Sequence, residues 1–192
     1  IGSKFLHAGP GYGGSCFPKD TLALVRTAQD VGSPLRIVET VVSVNDARKK
    51  EMAEKVIAAC GGSVAGKSIA ILGVTFKPNT DDMREAPSLD IIPALQAAGA
   101  TVRAHDPEGM EEAGKLLEGV EWCDGPYHAM ENADATVIIT EWNAYRALDL
   151  PRIARMMRGK VFVDLRNIYK PSEAGAAGLD YTGIGLGTPP AA

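Results

Sequence analysis

A chain of 192 residues that is 45% apolar can bury a core of ordinary size, enough for one domain and an appendage. Its 20 Lys and Arg against 24 Asp and Glu leave a formal charge of -4 with no basic run, which excludes the footprint of a nucleic-acid or anionic-membrane binder. No apolar run reaches bilayer length and no charged-then-apolar leader opens the chain, so no membrane partner is expected and the expected location is cytoplasmic. Cys16, Cys60 and Cys123 are odd in number and widely spaced, which fits neither a disulfide framework nor a zinc pattern. His7, His105 and His128 show no ligand spacing either, so no metal is expected. The first residue is Ile1 and not Met, so a processed, truncated or partial chain is expected.

In chain order, the glycine-rich run GPGYGGSCFPKD leads directly into an apolar pattern. From Pro18 to Gly32 that pattern reads as a helix, with Leu22, Val25 and Ala28 on one face. A second, longer helix is expected up to Gly61 and Gly62, capped by Ser33 and begun at Pro34. Its Val-rich stretch is compatible with a strand, but Ile37, Val38, Val41, Val42, Met52, Val56 and Ile57 recur at helical spacing with charges between them. From Lys67 the pattern becomes short apolar runs separated by helical segments. SIAILGV, TVRAHDP, VEWCD, ATVIIT, KVFVDL and LDYTGIGL read as strands, and SLDIIPALQAAG, GMEEAGKLLEG and LPRIARMM as helices. The alternation predicts an α/β fold: a Rossmann-like, doubly wound, mostly parallel sheet, preceded by a helical segment with the Gly-rich loop. The division falls at residues 1–62 and 63–192, and TPPAA is expected as a frayed tail.

Ligands of such sheets bind beyond the carboxyl ends of the strands, near the switch in strand order. Lys77 follows the first strand, Arg84 lies in the same loop just before a helix starting near Ser88, and Arg166 follows KVFVDL. These cations and a helix N-terminus on one rim suit an anion such as a phosphate. Pairing with Asp81, Asp82 and Asp164 as solvated rim residues is the other reading, and position alone leaves both open. The first turn lacks G-x-G-x-x-G, so Asp106, placed where a ribose-binding acid would stand, is read as the start of a turn with Pro107.

Cys16 lies two residues before Pro18, at the positive end of the first helix and close to Lys19, an arrangement that favours thiolate over thiol. Gly13 and Gly14 permit close approach to a substrate. Cys60 and Cys123 read as small buried hydrophobes.

GPGYGGSCFPKD, followed about sixty residues later by GVTFKPNTDDMREAPS, resembles the paired signature of the UDP-glucose/GDP-mannose dehydrogenase family. The resemblance covers the whole chain and implies the second half of that family's architecture: the end of a central helical dimerisation region and a C-terminal domain that holds a UDP-sugar. It implies NAD as cofactor and Cys16 as the nucleophile of a four-electron oxidation through a thiohemiacetal and a thioester, a step for which a thiolate is suited. Asp20 matches an acid that orders or deprotonates water; the alternative is a carboxylate that merely interacts with the helix dipole. Cys16, Phe17, Pro18, Lys19 and Arg84 match cofactor-binding positions. Phe5, Leu6, His7, Ala8, Gly9, Gly13, Phe76, Lys77 and Arg166 match substrate-binding positions. Ser15 and Lys19 depart from relatives that act on N-acetylated sugars, which favours UDP-glucose, with GDP-mannose as the alternative. The family further implies a homodimer through the central helix. Two rivals differ in class. A cysteine hydrolase would need a histidine base that these residues do not offer. A non-catalytic nucleotide-sugar-binding module would retain only the rim.

Overall fold

The structure, a computed structural model, describes residues 2–186. After a 3₁₀ turn at Ser3–Leu6, α1 runs Cys16–Asp30 and α2 Arg36–Ala59. There follow β1 (Ser68–Leu72), α3 (Ser88–Ala97), β2 (Thr101–His105), α4 (Met110–Gly114), β3 (Val120–Trp122) and α5 (Pro126–Met130). The chain continues through β4 (Ala135–Ile138), α6 (Leu150–Met156), β5 (Val161–Asp164), α7 (Pro171–Ala176) and β6 (Asp180–Gly183).

The six strands form one sheet in the order β3-β2-β1-β4-β5-β6, and every pairing is parallel. The apolar runs are continuous because both faces are covered. Ile69 and Ile71 of β1 enter one core with Met52, Val56, Ile91 and Leu95, while Ala70 and Leu72 enter the other with Met130, Ile153 and Phe162. Register aligns the carboxyl ends, since Leu72 stands beside both His105 and Ile138, and Ile138 beside Asp164. Strand order reverses between β1 and β4, so the segments leaving those strands open a crevice there.

Both long helices form as the periodicity predicts, but the capping of α2 differs. It begins at Arg36 after Leu35, and Ser33 gives no cap. Ser33 N–H instead donates to Ala28 O, closing the end of α1 beyond Gly32, whose φ is +70°. The C-terminal half of α2 buries Met52, Ala53 and Val56, whereas Ile37, Val41 and Val44 in its first half are exposed. The short helices α5 and α7 and the 3₁₀ turn were not legible in the sequence. TPPAA lies outside the described residues. Among those described, no helix is long and apolar enough to cross a membrane.

Candidate active site

Cys16 is the first residue of α1, as its place before Pro18 predicts, and its side chain is exposed. The loop leading to it is held from two sides. On one side, Asn45 of α2 accepts from Tyr12 N–H through Oδ1 at 2.8 Å and donates to Tyr12 O through Nδ2 at 3.2 Å. Arg48 Nε donates to Gly9 O at 2.8 Å. Lys49, its side chain only 5% exposed, reaches Glu85 at 3.4 Å and Asp90 at 3.9 Å, tying α2 to the segment after β1. Positions 45, 48, 49 and 52 share one helix face, so a single stripe of α2 clamps the loop and docks on the core.

On the other side lies the rim at the switch point. Gly14 N–H donates to Arg84 O at 2.8 Å. Gly13 packs against Glu85 O and Phe76 Cβ so closely that an added Cβ would stand 2.3 Å and 3.0 Å from them. A Cβ on Gly9 would stand 2.6 Å from an Arg166 guanidinium nitrogen, so the loop also covers that residue. Arg166 spans the crevice. Its Nε donates to Ile139 O at 2.7 Å and a terminal nitrogen to Phe76 O at 3.2 Å. Its ion partner is Glu141, 3.0 Å away, and not Asp164. Because Nε–H is committed to Ile139 O, the buried Glu141 Oε2 receives charge but no hydrogen bond. Burial pushes the Arg166 guanidinium below its ordinary value, with Glu141 and then Asp164 opposing. A partly desolvated cation of this kind gains from a further anion.

Gly9, Gly13, Phe76 and Arg166 therefore meet at one place, with Arg84 contributing its carbonyl. Lys77 is exposed and extends over the Phe76 ring, 5.3 Å from its centroid. The Arg84 guanidinium faces outward and pairs bidentately with Asp82 at 2.9 and 2.7 Å. That pair holds the Asp82 carboxyl below its usual range. Phe5 meets Phe17 edge-on at 5.7 Å, and Phe17 meets Tyr12 at 4.5 Å, so the aromatic residues gather at the start of α1. Leu6 and His7 are exposed, Ala8 is half-buried and Pro18 is buried. Lys19 and Asp20 are exposed and pair with each other at 3.4 Å. Sequence reading missed Asn45, Arg48, Lys49 and Glu141. Glu141 had the same positional signal as Arg166, since it follows a strong strand at its carboxyl end.

Asp106 is not free to read a ribose. Its carboxylate is buried and accepts from Val74 N–H at 2.7 Å, Gly109 N–H at 2.8 Å, Glu108 N–H at 3.0 Å and Trp142 Nε1–H at 3.0 Å. With the glycine fingerprint also missing, the crevice of this sheet does not fit a dinucleotide held in the usual way.

Fold and rim together define a Rossmann-like α/β protein whose switch point is covered by a cysteine-bearing loop. Residues 70–171 match the UDP-binding domain of the UDP-glucose/GDP-mannose dehydrogenase family, and residues 1–47 match its central domain. The chain belongs to that family. It is 61% identical over 185 residues to a UDP-glucose 6-dehydrogenase of Rhizobium meliloti, covering 96% of this chain and 42% of that protein. A UDP-glucose dehydrogenase from the archaeon Pyrobaculum islandicum superposes over 90% of this chain and 38% of its own, with TM-score 0.78 and 37% identity. An NDP-N-acetyl-D-galactosaminuronic acid dehydrogenase from Methanosarcina mazei superposes over 92% and 38%, with TM-score 0.80 and 31% identity. The chain thus spans about two fifths of the length of these relatives.

Proposed function

We propose that this chain forms the cysteine-bearing and nucleotide-sugar-binding part of an NAD-dependent UDP-glucose 6-dehydrogenase. The observation that carries the reading is the packing of Gly9 and Gly13, on the loop that ends at Cys16, against Arg166 and Phe76 at the switch point. In this reading residues 63–192 hold UDP-glucose and residues 1–62 supply the cysteine loop and the remainder of a central helical region.

The diphosphate takes the place beside Arg166 and Lys77, and residues 5–9 line the sugar nucleotide. Hydride acceptance, once per oxidation, is what NAD⁺ supplies when bound; Phe17, Pro18, Lys19 and the outward face of Arg84 are the residues of this chain that would meet it. Once the C6 alcohol has become an aldehyde, Cys16 Sγ adds to its carbon and forms a thiohemiacetal. Loss of a second hydride leaves a thioester on Cys16. Asp20 takes a proton from the water that cleaves it, releasing the uronate and restoring the cysteine. The Lys19–Asp20 pair is exposed and held weakly, so it leaves Asp20 available. A homodimer through the first half of α2 and a cytoplasmic location complete the reading, the former supported by the exposed Ile37, Val41 and Val44.

Iodoacetamide labelling tests it directly. UDP-glucose should slow modification of Cys16, and GDP-mannose should do so less; equal labelling rates with and without UDP-glucose would overturn the reading. The chain by itself should bind UDP-glucose without reducing NAD⁺, because in this reading its own residues supply only part of the surface that meets the dinucleotide.

A further inference from the structure

A second cluster lies at the edge of the sheet, away from the switch point. Glu121 on β3 and Cys123 just beyond it are two residues apart on an extended segment, so their side chains leave the same face. The turn into α5 then brings His128 back over them. A carboxylate oxygen of Glu121, Cys123 Sγ and a ring nitrogen of His128 all lie within 4.8 Å of one another. Around a tetrahedral zinc ion with ordinary bond lengths such atoms stand roughly 3.3–3.6 Å apart. Glu121 and His128 are exposed, so side-chain rotation can close the remaining distance, while the buried Cys123 fixes the centre. Arg103 supports the arrangement from behind. Its Nε holds Glu121 Oε1 at 3.1 Å, and a terminal nitrogen donates to Glu131 O at 2.7 Å and to Ala129 O at 3.4 Å, fixing the end of the helix that carries His128. This is the outer-shell role that orients ligands in metal sites.

We propose that Glu121, Cys123 and His128 form a site for a borderline-soft divalent transition metal, with Zn²⁺ the best match to one thiolate, one imidazole and one carboxylate, and water in the fourth position. Binding releases the Cys123 thiol proton to solvent and joins edge strand β3 to α5. The competing arrangement is the one in which Arg103 alone serves as the cation for Glu121.

Co²⁺ titration of the whole chain, carrying Cys16→Ser to remove the exposed thiol, decides between them. One equivalent of Co²⁺ should produce a thiolate-to-cobalt charge-transfer band, displaced by Zn²⁺ and absent from Cys123→Ser. His128→Ala, a change at an exposed residue with little consequence for folding, should weaken Co²⁺ binding at least about ten-fold. Absence of the band, its survival in a folded Cys123→Ser variant, or a smaller effect of His128→Ala would each overturn the assignment. Should Cys123→Ser fail to fold by circular dichroism, the His128→Ala titration alone decides between the two arrangements.

Discussion

Gly13 leaves no room for a methyl group, because the obstacle is the main chain of Glu85, its carbonyl oxygen 2.3 Å and carbonyl carbon 2.8 Å from where a Cβ would lie. Gly13→Ala should therefore cost about 1–3 kcal/mol in denaturant unfolding and weaken UDP binding, whereas an alanine in an unhindered turn would be neutral or slightly stabilising. Wild-type stability in that variant would contradict the packing. Asp106 gives a sharper case. Both of its oxygens face N–H donors, Glu108 and Gly109 on one and Val74 and Trp142 on the other, so Asp106→Asn sets a donor against donors whichever way the amide turns. A loss of about 1–3 kcal/mol in urea is expected, with no change of fold. His105 Nδ1 lies 2.9 Å from the Tyr145 hydroxyl, and burial lowers the pKa of the ring, with Asp106 and Asp124 opposing. The unfolded chain then binds a proton that the folded chain refuses. The contribution is fully present above the unfolded value of about 6.5 and is lost as pH falls through the folded one. Urea midpoints measured from about pH 7.5 to about pH 5.5 should fall, and His105→Gln should flatten the profile.

At the scale of elements, α2 does two jobs along its length. Val56 is fully buried, and Val56→Ala should cost roughly 2 kcal/mol. Ile37 is 82% exposed and Val44 58%, so aspartate at both should change unfolding free energy by no more than about 0.5 kcal/mol each. The proposed dimer predicts that the wild-type chain should sediment as a dimer and the same double variant as a monomer; a monomeric wild type would remove the dimer proposal. The central strands β1, β4 and β5 were legible because burial on both faces writes each as a near-continuous apolar run, whereas the edge strands β3 and β6 are only partly buried and carry a weaker pattern. Helices α5 and α7 were not, since five and six residues opening on Pro126 and Pro171 leave no room for a periodic pattern. Cys16, Lys77 and Arg166 could be placed from chain position alone, because helix starts and strand ends are local features, whereas Phe76 entered only through the family resemblance. Whether a rim cation is paired is not local, and the two readings divided: Arg84 is taken by Asp82, while Arg166 turned to Glu141. Lys49 reads in the sequence as one charge among several, yet it is buried, because its partners Glu85 and Asp90 arrive from beyond β1.

Across the whole molecule, the sheet keeps the strand order of a dinucleotide fold while its second-strand acid has become part of the framework. What faces the crevice instead is a loop from outside the sheet. Asn45 and Arg48 bind the main chain of that loop at Tyr12 and Gly9, and Arg166 and Phe76 close on it from below. Its conformational entropy is therefore surrendered when the chain folds and not when a ligand arrives. A molecule entering beside Arg166 meets a wall already held in place by these contacts, so less of its affinity should be lost to ordering the receptor than at a free loop.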